Sequence, residues 1–112
     1  PEAAKYLADR NIAEIAKSTE FNNRPDALCV SGLTAGSETD TQVLSVVKNS
    51  VKRTPILCNT GCNKDNITRQ LSVADGAVCA TTFKIDGIFE NAVDEQRVKE
   101  FMDIVKEFRK TL

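Results

Sequence analysis

One short unit occurs three times in this chain, and it constrains the fold more than anything else in the sequence. "DALCVSG" (26–32), "PILCNTG" (55–61) and "GAVCATT" (76–82) each run through apolar residues to a cysteine, with a hydroxyl residue two places on. Side chains two apart along a strand point the same way. Cys29 with Ser31, Cys58 with Thr60 and Cys79 with Thr81 are therefore expected to form one repeated layer, buried and unbridged, with the hydroxyls nearer the strand ends. The runs are continuously apolar rather than alternating, as in strands of a parallel sheet covered on both faces.

The segments between them read as helices. Residues 2–17 carry Ala3, Leu7, Ile12 and Ile15 as an apolar stripe, broken by the turn chemistry of "STEFNNRPD". Strand 26–31 follows. Asp40 or Thr39 can cap a helix over 40–51 whose inner face is Val43, Leu44, Val47 and Val51. After strand 55–59, Asn63 can cap a short helix with Ile67 and Leu71. Strand 76–80 leads through a long connection to a last helix, capped by Asp94. Its stripe is Val98, Phe101, Met102, Val105, Phe108 and Leu112.

The order is α-βα-βα-βα, an α/β fold of parallel βα units with right-handed crossovers. Three strands leave two open edges, and a whole (β/α)8 barrel needs about 250 residues. The 112 residues therefore read as one partial domain over 1–112, the carboxyl-terminal three strands of a TIM barrel. A flavodoxin-like sheet is the other reading, although it calls for more strands. The chain opens on Pro1 rather than Met, as expected of a fragment, a processed form or a trimmed piece of a longer protein, so a targeting segment is not visible in it.

A net charge of −1 and the lack of a basic face argue against nucleic acid as a partner. No apolar run approaches the roughly 18 residues of a membrane span. Four cysteines and no histidine leave Cys58-x3-Cys62 without the second ligand pair that zinc needs, so no metal and no cofactor is expected. Cysteines inside apolar strands behave as small buried hydrophobes. Reduced thiols point to an intracellular reducing compartment, the cytoplasm or the mitochondrial matrix.

In a (β/α)8 barrel, ligands bind at the carboxyl ends of the strands, and phosphate often binds after the last two. Gly61, Cys62, Asn63, Thr81, Thr82 and Phe83 hold those places here and are the candidate phosphate-binding residues. Glycine permits close backbone approach, several N–H groups can share one anion, and threonine adds hydroxyl donors. Ser31, Gly32, Thr60 and Lys84 are candidate lining residues, with Thr60 on the pocket floor. The plainer reading stays open: Gly61 turns the chain, the threonines satisfy strand ends, Gly32 and Gly36 are loop glycines, and Lys84 is a solvated lysine. Glu38, Asp40, Asp65 and Asp94 sit near helix starts, where acids favour the dipole, and Asp75 and Asp86 fall in turns. None makes a general base. Whether the chain belongs to an enzyme is left undecided, its catalytic residues unknown and its acid–base groups expected on strands outside it.

"DALCVSGLTAGSETD", "TPILCNTGCNKDNI" and "VADGAVCATTFKIDGIFENAVDEQRVKEFMDIV" together resemble the carboxyl-terminal half of the BtpA/SgcQ family. Ala74-Asp75-Gly76, Lys84, Asp86-Gly87, Asn91 and Val93-Asp94 carry the likeness, which covers roughly residues 26–106. Thr60 stands where the family has a glycine, and Ala80-Thr81-Thr82 where it has Gly-Thr-Ser. The resemblance implies a phosphate-binding barrel. One branch of the family is linked to photosystem I biogenesis, and others lie among sugar-metabolism genes. Two functions follow as expectations: binding of a small phosphorylated sugar-like metabolite, or a non-catalytic assembly or stability factor acting through its surface. The expected macromolecular partner is the remainder of the barrel or a second copy of the chain.

Overall fold

In the computed structural model of the protein, residues 10–112 are described. Four helices, α1 (Ile12–Asn23), α2 (Thr41–Ser50), α3 (Ile67–Leu71) and α4 (Glu95–Arg109), alternate with three strands. The strands are β1 (Leu28–Val30), β2 (Ile56–Cys58) and β3 (Gly76–Ala77). They lie in chain order, parallel throughout. Two 3-10 turns, Thr81–Phe83 and Ile85–Gly87, fill the connection into α4.

Register decides which face each side chain occupies. Leu28 pairs with Ile56, Cys29 with Leu57 and Val30 with Cys58, and Cys58 in turn pairs with Ala77. Partners across a parallel ladder point to the same side. Val30, Ile56 and Cys58 therefore share one face and are buried, packed with Leu44 and Val47 of α2, Ile67 of α3, and Phe101 and Val105 of α4. The other face carries Cys29, Leu57 and Val78. Cys29 and Val78 are exposed on it.

The expected three-cysteine layer is thus corrected. Cys29 is one residue out of step with Cys58 and faces away from the helices, while Cys79 lies two residues beyond the partner of Cys58. A one-residue offset moves a strand side chain to the opposite face. The sequence motif aligned the strands by composition, but backbone pairing aligned them by hydrogen bonds. All four cysteines are free thiols.

The helix boundaries follow local chemistry. Asp40 accepts the Gln42 N–H and starts α2, and Asp94 accepts the Gln96 N–H and starts α4. Thr39 does not cap; it is buried, and its hydroxyl reaches Val30 O (3.2 Å) and Thr60 O (3.3 Å) at the strand ends. The part of the expected first helix over 2–9 lies outside the described residues. Within them α1 is capped by Asn11 and runs on through "STEFNN" to a left-handed Arg24, rather than breaking at Ser18. Ile12 is exposed and Ala16 is the buried residue of that helix. In α4, Phe101 and Val105 are buried and Met102 packs against them, but Leu112 lies past the helix end in solvent.

Two carboxylates tie the elements together. Asp75, expected as a turn residue, accepts from the Ile56 N–H (2.9 Å) and from Lys48 of α2 (2.5 Å). It thereby joins the starts of β2 and β3, and the lysine first and the amide second hold its carboxyl below the usual range. Glu20 on α1 takes three successive N–H groups, Lys52, Arg53 and Thr54, at 3.0–3.3 Å, and the Thr54 hydroxyl at 2.6 Å. The hydroxyl, followed by the amides, lowers its carboxyl from 4.5 to about 2. A depressed folded-state value means the contribution is present above pH 4.5 and is lost as pH falls toward 2. Glu20→Gln should lower the melting temperature at pH 7 and flatten its fall between those two values. A parallel acid-denaturation curve for the two proteins would contradict this role.

The outer edges of β1 and β3 and the uncovered face bearing Cys29 and Val78 leave apolar surface and ladder groups in water. Such edges pair with other chains. On its own, the chain should therefore scatter light as an associated species; a cooperative 12.3 kDa monomer would be the contrary result.

Candidate functional site

The loops that follow β2 and β3 meet at the carboxyl end of the sheet and line a half-open cavity of about 670 Å3. Gly61, Cys62 and Asn63 line it from one side and Thr81 and Thr82 from the other. Five of the six expected phosphate-binding residues are therefore brought together. Phe83 is not among them: its ring packs edge-on to Phe101 at 5.0 Å, and its N–H is spent on Ala80 O at 2.9 Å.

The cradle after β2 is held by asparagine side chains. Asn63 Oδ1 accepts from the N–H groups of Asp65 and Asn66. Buried Asn66 donates to Gly61 O (2.8 Å) and accepts the Asn63 N–H (2.9 Å). This pins residues 61–63 in one arrangement, and it also occupies the Asn63 N–H. No described residue accepts the N–H groups of Gly61, Cys62 or Thr82. Helix α3 contributes little dipole to the site, since it has only five residues and begins at Ile67.

Gly61 has φ +70, and a Cβ there would lie 2.4 Å from Glu38 N and 2.5 Å from Glu38 Cα and Ser37 C. The backbone of the β1–α2 loop passes directly against it. Gly32 meets the same loop: a Cβ there would lie 2.5 Å from Ser37 Oγ and 2.6 Å from Ser37 O. Gly32 does not line the cavity; its N–H donates to Thr60 Oγ1 at 2.6 Å. Thr60 does line it, but shares the face of Cys58 toward the helices and spends its hydroxyl on Gly32 and Thr39. Ser31 sits on the opposite face, where its hydroxyl accepts from Asn59 Nδ2 at 2.8 Å, and Asn59 rather than Ser31 reaches the cavity. Lys84 lies beyond the rim, its backbone bridged to Val93.

The cation at this site is one the sequence reading passed over. Arg97, in the first turn of α4, lines the cavity and donates from Nε to Thr82 O at 2.8 Å. It forms no ion pair with any carboxylate among the described residues. Gly87, at φ +68, makes room for it: a Cβ there would come within 3.3 Å of Arg97 Nη2. In sequence Arg97 is one charge on an amphipathic helix; in the fold its guanidinium is held on Thr82 O and finds room beside Gly87. Asp86 is left-handed, φ 57, and Asn91 braces the same turn by donating to Ile85 O at 2.9 Å.

Parallel strands, helices packed on one face and a cavity built by the loops at the strands' carboxyl ends define a protein of βα units. The chain belongs to the BtpA family, which it matches over residues 1–107. It is 58% identical over 110 residues to the putative sgc region protein SgcQ of Escherichia coli, covering 98% of this chain and 41% of that protein. It is 28% identical over 104 residues to the photosystem I biogenesis protein BtpA of Synechocystis, covering 93% of this chain and 36% of that protein. A mitochondrial protein of Caenorhabditis elegans is 32% identical over 109 residues, 96% of this chain and 38% of its own length. The chain thus spans about two fifths of the length of these relatives. Among the described residues no helix is long and apolar enough to cross a membrane.

Gly61 is under two constraints and Gly36 under one. Both have positive φ, but nothing lies within 4 Å of a Cβ at Gly36. Gly36→Ala should cost about 1 kcal/mol in chemical denaturation, the strain of the left-handed backbone alone. Gly61→Ala should cost more, about 3 kcal/mol, because the Ser37–Glu38 backbone must also move. Equal costs at the two positions would remove the close approach from the account.

Proposed function

We propose that the chain supplies the anion-binding end of a phosphate-binding (β/α)8 barrel, and that its cavity takes the phosphate of a small sugar-like metabolite. The observation that carries this reading is Arg97. A guanidinium fixed by Thr82 O, with no carboxylate partner among the described residues, lines the same cavity as Gly61, Cys62 and Thr82, whose N–H groups have no described acceptor. An uncompensated arginine beside free backbone donors suits a doubly charged phosphate, which a fork of N–H groups can hold in two places. The sugar-like remainder rests on the family resemblance. In a closed barrel the face bearing Ser31 and Asn59 would turn inward, and their hydrogen-bonded pair would meet that remainder.

The other reading, a surface-acting assembly or stability factor, has its own support. Leu33 (83% exposed) and Phe89 (69%) present apolar side chains to solvent, Phe89 at the cavity rim. The name of the Synechocystis relative refers to photosystem I biogenesis.

Titration calorimetry with orthophosphate and small phosphorylated sugars separates the two. Under the phosphate reading, Arg97→Ala should weaken phosphate-ester binding at least tenfold, and Arg97→Lys should recover part of it, since a lysine keeps the charge without the fork. Phosphate-ester binding that is absent, or indifferent to Arg97, would favour the surface-acting reading. Gly61→Val is a poor probe here, because its clash with the Ser37–Glu38 backbone would disturb the fold itself.

A further inference from the structure

Two of the four thiols line the cavity, and a third lies against one of them. Cys62 Sγ lies 3.2 Å from Cys58 Sγ, and both residues are buried. Cys79 stands on the same sheet face as Cys58, two residues past its ladder partner Ala77, and is half-buried. Cys62 and Cys79 both line the cavity, one from each of its two walls. Cys29 is apart from them, exposed on the other face of the sheet. A structural cysteine needs no thiol neighbour and no route to solvent; Cys62 has a thiol neighbour, and Cys62 and Cys79 both open on the cavity.

We propose that Cys62 and Cys79 are a redox-active dithiol, a modification site at which a peroxide entering the cavity drives formation of a reversible disulfide. Cys79 is the thiol that meets the oxidant and Cys62 the thiol that resolves it. The acidities run in the same direction. The neighbouring Cys62 thiol pulls Cys79 below its ordinary value; for Cys62 the hydrogen bond shared with Cys58 is the largest single influence and lowers it, but the Cys79 thiol and burial together outweigh it and leave Cys62 raised to about 11. The Cys62 thiol and burial raise Cys58 further, which makes it the least reactive of the three.

The chemistry balances with peroxide as the two-electron oxidant. The Cys79 thiolate attacks one peroxide oxygen, the O–O bond breaks, and the departing hydroxide leaves as water with a proton. This leaves Cys79 as a sulfenic acid. The Cys62 sulfur then attacks the Cys79 sulfur, the S–O bond breaks, and the second water leaves with the Cys62 proton. Two thiols and one peroxide become one disulfide and two waters, and a thiol reductant reverses the step. The new bond would tie the loop after β2 to the end of β3 across the cavity. This inference does not depend on what the cavity binds.

The test uses the chain carrying Cys29→Ser, which removes the exposed thiol and leaves the cavity intact. One equivalent of hydrogen peroxide should remove two of the three remaining titratable thiols and lower the intact mass by about 2 Da, both restored by dithiothreitol. Peptide mapping without reductant should recover the segment containing Cys62 joined to that containing Cys79. In a folded Cys62→Ser variant, a sulfenic-acid trap should label Cys79. A bridge between Cys58 and Cys62, over-oxidation of Cys79 without a bridge, or persistence of all three thiols would each overturn the proposal. The mapping on Cys29→Ser decides the matter even if the cavity variants fail to fold.

Discussion

The backbone contact between Gly61 and the Ser37–Glu38 segment organises the carboxyl end of the sheet. Only hydrogen fits where the Gly61 Cβ would be, so the loop after β1 can lie flat against the loop after β2. That approach places buried Thr39 between the ends of β1 and β2, within reach of Val30 O and Thr60. Gln70, fully buried on α3, donates to Thr39 O at 2.9 Å and closes the arrangement from below. The cavity wall is here backbone packed on backbone, with few rotatable side chains in between.

The strand starts are organised by charge instead. Asp75 holds the N–H of Ile56, the first residue of β2, and Glu20 holds three N–H groups of the segment leading into that strand, all of which would otherwise be unsatisfied. Strands of two or three residues have few ladder bonds, so carboxylates that grip two elements at once fix their offset. The end of the sheet away from the cavity therefore depends on ionised groups, while the cavity end depends on steric fit.

Among the described residues the sheet has one covered face and one bare face. Ile56, Cys58 and Val30 meet the helices, whereas Cys29 and Val78 meet water. Continuous apolar strands are the mark of a sheet covered on both sides, and here the sequence carries that mark while the described chain covers only one. This mismatch agrees with a chain that spans about two fifths of its relatives' length. It is also what separates Cys29 from the other three thiols.

Much of this was determined by the sequence alone, where the deciding physics is local. Apolar runs between polar helical segments define parallel βα units, and Asp40 and Asp94 start α2 and α4 because a short acidic side chain reaches the N–H two residues on. The tie of Gly61–Asn63 and Thr81–Thr82 to one location followed from their common place after neighbouring strands. What only the tertiary structure decided is everything set by pairing at a distance. Register put Cys29 opposite Leu57 and so on the wrong face for the cysteine layer, and no motif encodes a one-residue offset between strands. Arg97 reaches the cavity held on Thr82 O, beside a Gly87 whose missing side chain leaves room for its guanidinium, which a helical charge pattern does not reveal. Ser31, Gly32 and Phe83 have suitable chemistry, but their hydrogen bonds and ring contacts are already committed to Asn59, Thr60, Ala80 and Phe101. Composition says which residues can bind an anion, and the fold decides which of them remain free to do so.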